Sequence, residues 1–254
     1  MRVTFFILLI IVLVSHSPSS YHKEKEVKTI SSKANDHPST TAITRTLYNQ
    51  MELVKYLKYE AFEEALQGYK KLNPTKQNIL TIIDYSLPST EKRMVVLDMQ
   101  NKKVLQHTIV SHGRASGEKF ATSFSNKHES HQSSLGFFIT ENTYYGSNGY
   151  SLVLNGLEKG INDQAKARAI VIHGADYANE SIIKSTGRLG RSYGCPALPR
   201  HLNKAIIDTI KNGSLIYIYA QNNEYMKYTK LVERKPNSLL ASKENADKSE
   251  AQLN

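Results

Sequence analysis

One side chain in this 254-residue chain stands apart as a potential nucleophile: Cys195, its only cysteine. It lies in Gly187-Arg188-Leu189-Gly190-Arg191-Ser192-Tyr193-Gly194-Cys195-Pro196-Ala197, a glycine-bearing polar stretch rather than an apolar periodic run. Gly194 lets the backbone approach a bound molecule closely, and Pro196 stiffens the exit from the turn. Arg188 and Arg191 are expected to favour the thiolate of a thiol that ordinarily titrates near about 8.5. A thiolate in such a setting attacks carbonyl carbon, so the chemistry expected is acyl transfer through a thioester. That chemistry needs no metal and no other cofactor, and one cysteine excludes a metal site built on cysteine clusters. A buried inert thiol is the plain alternative.

A thiol nucleophile needs a base, and nine histidines are available. His16, His22 and His37 fall in the N-terminal stretch, and His128, His131 and His201 in polar segments where a solvated imidazole needs no partner. His173 differs. It closes the β-branched run Ala169-Ile170-Val171-Ile172 and opens at once onto Gly174-Ala175-Asp176, where a rigid strand can hold a titratable group at a loop edge. Cys195 follows 22 positions later. Histidine before cysteine is the reverse of the papain-like order.

These two residues need a scaffold, and its pattern is mostly β. Strands are expected over Ile79–Asp84, Arg93–Met99, Val104–Val110, Leu135–Thr140, Leu152–Leu154, Ala169–His173 and Ser214–Ala220. Before them, Leu47, Met51, Val54, Leu57, Phe62, Leu66, Tyr69 and Leu72 recur at helical steps. That pattern predicts a helical segment over 44–74, open to a break at Gly68 and stopped by Asn73-Pro74. His201–Lys211 reads as a further short helix. Many short strands with few helices favour a mainly β domain, a barrel or sandwich, over 75–221. A polar linker is expected over 21–43 and a disordered polar tail over 222–254.

Composition limits the setting. With 40% hydrophobic residues and mean hydropathy of −0.44, the chain reads as a soluble globular protein. The net charge of +10 is spread through acidic residues, with no isolated basic run, which argues against nucleic acid as a partner. Arg2 followed by the apolar run 3–14 resembles a secretory signal over residues 1–20, either cleaved or kept as an anchor. Both readings export the remainder to the periplasm or cell envelope, with membrane contact only through an uncleaved N-terminal segment. An unpaired thiol in an oxidising compartment is then more pointed as a reactive group.

Several ordered blocks together resemble the YkuD-type L,D-transpeptidases, specifically their murein L,D-transpeptidase catalytic-domain subfamily. They are Ser111-His112-Gly113, Phe124-Ser125-Asn126, Ser133-Ser134-Leu135-Gly136, Gly149-Tyr150-Ser151-Leu152, Arg168 to Ala175 and Gly190 to Leu198. The resemblance implies a β-barrel or sandwich-like catalytic domain acting on peptidoglycan stem peptides, with no cofactor and with covalent capture by carbapenems. It implies Cys195 as nucleophile and His173 as base, with backbone N–H groups around Tyr193, Gly194 and Cys195 on the oxyanion. Arg191 and Arg188 are the expected carboxylate-binding residues, unless an ion pair with Asp176 or another carboxylate claims them. Ser192, Gly174, Ser134 and Gly136 complete the expected substrate-facing set, Ser134-Leu135-Gly136 standing in for the family's Thr-Pro-x-Gly block. This chain departs from the broader family at Tyr193, where histidine is usual, and at Ala197, where arginine or asparagine is common. An amine acceptor would make the enzyme a transpeptidase and water an L,D-carboxypeptidase. A sortase-like enzyme and a non-catalytic wall-binding domain are the other readings.

Overall fold

A computed structural model of the chain describes residues 40–233. The expected signal segment, and the linker up to residue 39, lie outside the described residues.

The described part is mostly β. Eight strands, β1 (Ile79–Asp84), β2 (Met94–Asp98), β3 (Lys103–Thr108), β4 (Gly136–Gly146), β5 (Gly149–Gly156), β6 (Val171–Ala175), β7 (Ala197–Pro199) and β8 (Leu215–Tyr219), join in one mixed sheet. Their order is β3-β2-β1-β8-β4-β5-β6-β7. Contacts β1–β8 and β6–β7 are parallel, and the others antiparallel. The chain beyond β3 reaches round to the opposite edge, where Ser111 bridges Ala197 of β7 and Gly113 bridges Ser192. The sheet is thereby tied edge to edge beside the cysteine, which limits the exposed strand edge there.

The core explains the strand pattern. Leu80, Ile82, Val96, Phe138 and Ile216 are fully buried. Each such side chain contributes roughly 1.5–3 kcal/mol through burial. β1, β2 and β8 are buried along their whole length, so they carry continuous apolar runs rather than alternation. β4 and β5 instead run beyond the buried zone as a hairpin with exposed Tyr144 and Tyr145, which is why both outrun their expected apolar centres.

Five helices flank the sheet: α1 (Thr40–Gln50), α2 (Tyr59–Leu72), α3 (Glu180–Thr186), α4 (Arg200–Ile210) and α5 (Asn223–Tyr228). Helix α1 begins inside the stretch read as linker. The helical segment breaks over residues 51–58, where Glu52 adopts a left-handed backbone, and not at Gly68. Gly68 is buried within α2, where the Phe137 ring occupies the space a Cβ would need. Asn73 ends α2 in a left-handed cap, as the Asn-Pro pair suggests.

The C-terminal stretch 222–233 is not a loose tail. Tyr225 of α5 is buried, its hydroxyl 3.2 Å from the buried Glu158 carboxylate, and Glu233 N–H donates to Gln67 of α2. Residues 234–254 lie outside the described residues. No helix among the described residues is long and apolar enough to cross a membrane.

Candidate active site

The site forms where β6 meets the loop ahead of β7. His173 is in register with Ala197, two residues beyond Cys195. Val171, two residues before His173 on the same face of β6, donates its N–H to the Cys195 sulfur at 3.5 Å. Ile172, between them, points into the main core. The thiol in turn faces the Ala169 carbonyl at 3.8 Å. Ala169 holds a left-handed backbone with φ of 55°, an unusual state for alanine that aims this carbonyl at the sulfur.

His173 is buried, and its Nδ1–H donates to the Gly174 carbonyl at 3.1 Å. That bond leaves Nε2 unprotonated, the form a base requires. Burial lowers the imidazole pKa from its ordinary 6.5, helped by the Arg200 charge and opposed by the Gly174 bond. Burial raises the Cys195 thiol above its ordinary range, against the Val171 N–H, the Arg168 charge and the residue's own backbone N–H. Both shifts favour the uncharged forms of the two groups.

The loop is shaped from within. Gly194 has φ of 123°, and a Cβ there would lie 2.9 Å from the Gln132 carbonyl and 3.0 Å from Ile170 Cδ1. Only glycine fits this turn without strain. Ser192 accepts the Gly194 N–H at 3.0 Å and donates to the Cys195 carbonyl at 2.6 Å. Gly194 therefore does not offer its N–H to an oxyanion, contrary to expectation, and Ser192 staples the loop instead of facing substrate. The N–H groups of Tyr193 and Cys195 are the remaining local donors. The Tyr193 side chain is 64% exposed and packs against the His131 ring at 4.6 Å.

Other expected substrate contacts are also structural. Ser134 is buried, donating to the Ser125 carbonyl and accepting from Arg168, each at 2.7 Å. Gly136 is buried where a Cβ would strike the Glu158 carboxylate, so it does not line a cleft. Gly174 packs on Asn203 of α4 and supplies the carbonyl that orients His173.

The arginines redistribute. Arg188 Nε and Arg191 Nη1 both reach Glu118, at 2.9 and 2.7 Å, while Asp176 pairs with Arg200. The cation whose charge opposes the thiol's upward shift is Arg168. Its guanidinium holds the 125–134 segment with four bonds, to the Ser125 and Gln132 carbonyls and the Ser130 and Ser134 hydroxyls. Sequence reasoning missed Arg168 as a site residue, although it opens the run that ends at His173. It also missed Ser133, whose hydroxyl donates to the Gly194 carbonyl at 3.2 Å.

Behind the loop, His112 is fully buried between Arg93 and Gly117. Its backbone carbonyl accepts the Ser192 N–H at 3.0 Å, and the neighbouring Arg114 N–H donates to the Ser192 carbonyl at 2.7 Å. The Ser111–Arg114 segment thus brackets the cysteine loop. Among the described residues no group of His, Cys, Asp or Glu gathers in a way that could hold a metal ion.

Comparison with known proteins gives one family: residues 54–219 match the L,D-transpeptidase catalytic domain model. No curated protein matches in sequence. Among solved structures, an L,D-transpeptidase from Mycobacterium smegmatis is similar at 14% identity and a TM-score of 0.36, covering 56% of this chain and 59% of that one. An L,D-transpeptidase in complex with imipenem gives the same figures. A cysteine-to-serine mutant of an Enterococcus faecium L,D-transpeptidase matches at 14% identity and 0.35, covering 56% of this chain and 50% of that one. This chain therefore spans about six-tenths or less of the length of these proteins.

Proposed function

Because the chain belongs to the L,D-transpeptidase catalytic-domain family, we propose that it is a peptidoglycan acyl transferase working through a Cys195 thioester. The observation that carries this reading is the placement of Cys195 against the β6 edge that bears His173, with the sulfur held by the Val171 N–H. A neutral thiol and a neutral imidazole make His173 a general base rather than half of a resting ion pair.

His173 Nε2 takes the thiol proton as sulfur bonds to the carbonyl carbon of the stem peptide. The electron pair shifts to oxygen, and the Cys195 and Tyr193 N–H groups are the proposed donors to it. Loss of one such donor typically costs about 100- to 1,000-fold in rate. The C–N bond then breaks, the leaving D-alanine amine takes the proton from His173, and an acyl thioester stays on the enzyme. A side-chain amine of a second stem attacks that thioester and gives its proton to His173, which passes it to the departing sulfur, so that the C–S bond breaks, the cross-link forms and Cys195 returns to the neutral thiol. Arg188 and Arg191, paired with Glu118, line a cavity beside the loop, and Arg168 moderates the charge on sulfur. The same thioester is the expected fate of a carbapenem carbonyl. The N-terminal segment, read as a signal or anchor, places this chemistry in the periplasm or envelope.

Incubation with disaccharide-tetrapeptides, followed by mass spectrometry, tests the reading. Cross-linked dimer with released D-alanine supports it. Tripeptide alone makes the enzyme an L,D-carboxypeptidase on the same site, and neither product refutes it.

A further inference from the structure

Beside the cysteine loop lies a cavity of about 410 Å³ lined by Arg114, Arg188, Arg191, Tyr177 and Tyr193. Three guanidinium groups face it, and no carboxylate lines it. The cations are anchored from behind. Arg191 Nη1 donates to the Arg114 and Gly117 carbonyls at 3.1 and 3.0 Å, and Arg188 Nη1 to the Leu189 carbonyl at 2.9 Å. The Arg114 guanidinium stands 5.6 Å over the Tyr193 ring. The cavity shares its wall with the cysteine loop, through Tyr193 and Arg191.

The one acid that answers these cations reaches in from the rim. Glu118 spans Arg188 and Arg191 with its two oxygens, yet its side chain is 69% exposed against 29% and 20% for the arginines. Each ion pair with so open a carboxylate is typically favoured by a factor of roughly five or less. One carboxylate also cannot neutralise three guanidinium groups, so the cavity keeps a strong preference for a further anion. Planar arginine forks suit a carboxylate in particular.

We propose that this cavity is the seat for the acyl donor's terminal carboxylate and that Glu118 is its resident competitor. The incoming carboxylate displaces Glu118 from Arg188 and Arg191, and Arg114 supplies the third arm. Glu118 thus sets specificity. A peptide with a free carboxyl terminus gains enough to evict it, whereas an amidated peptide does not. The identity of the ligand rests on the acyl-transfer reading above; the competition itself does not.

The test is calorimetry in a Cys195→Ala background, where turnover cannot interfere. A tetrapeptide stem ending in D-alanine and its C-terminal amide are titrated into that protein with and without Glu118→Gln. Glu118→Gln should tighten the free acid about threefold and leave the amide unchanged. Arg191→Gln should weaken the free acid about tenfold or more. Unchanged or weaker binding of the acid in Glu118→Gln, an equal change for acid and amide, or no binding at all would overturn the proposal. The readout needs no catalysis, so the expected binding in a protein that transfers no acyl group would sink the acyl-transfer reading and leave the seat standing.

Discussion

Acidification should destabilise the folded domain, and His112 is the reason. Its Nε2–H donates to the Gly117 carbonyl at 3.2 Å, so Nδ1 can only accept, and Arg93 Nη2 donates to it at 2.7 Å. Protonation would set a charged imidazole against a buried guanidinium. Burial first, then the Arg93 charge, drives the His112 pKa from 6.5 down to about 3, with lesser help from Arg191 and Arg188 and against the Gly117 bond. A base whose pKa is depressed by folding contributes stability that is complete above the unfolded value and is lost as pH falls toward the folded one. Between pH 6.5 and about 3 the unfolded chain holds one more proton at this position, which costs about 1.36 kcal/mol per pH unit. A drop from pH 6.5 to about 4.5 therefore removes roughly 2.7 kcal/mol, a large share of a typical domain's stability. The assay is urea unfolding of wild type and His112→Asn across this range. The variant should lack about one proton's worth of slope, and the His112 ring signal in an NMR titration should stay neutral down to about pH 4. A His112 that titrates near 6.5 in the folded protein, or parallel slopes for the two proteins, would refute the reasoning.

Gly194→Ala should strain the turn by about 1–3 kcal/mol and slow acylation about tenfold or more, measured by intact-protein mass against time; wild-type rates would contradict the tight turn. The acylation rate should rise with pH through a midpoint below 6.5, because His173 must be unprotonated and its pKa is depressed, and then hold level until the raised thiol ionises above 9.0. Thiolate ultraviolet absorbance at neutral pH would contradict that neutral pair. Arg168→Met should cost about 3 kcal/mol by releasing four bonds at once and push the Cys195 titration further up, read from alkylation against pH. An unmoved thiol titration would remove Arg168 from the site.

The lone thiol in a polar turn and the β-branched run that carries His173 were legible because each has a local signal, but β6 starts at Val171 and continues through Gly174 and Ala175, so His173 sits within the strand and not at its end. The buried strands were legible for the same reason, and β1 begins and ends where its apolar run does. What was hidden depends on partners far along the chain. Arg188 and Arg191 lie near Cys195 in sequence, yet their side chains are held by Glu118, far upstream in the chain. Arg168 draws its partners from 34 to 43 positions upstream, so nothing beside it marks it as the cation near sulfur. Gly68 resembles a helix break until Phe137 is seen to fill the space of its Cβ. β7 is three residues long, too short for periodicity, and is defined by its register with β6. Ser192 and Ser134 read as cleft residues, but their hydroxyls are committed to the backbone of the loops they hold.

The central claim is that Cys195 carries the acyl group. Wild-type protein mixed with a stem tetrapeptide, quenched in acid and weighed intact, should show an adduct equal to the peptide less D-alanine, mapped by proteolysis to the Cys195 peptide. Cys195→Ala, with unchanged melting temperature, should show none. An adduct that persists in Cys195→Ala, or released product with no adduct ever trapped on Cys195 in wild type, would contradict the account.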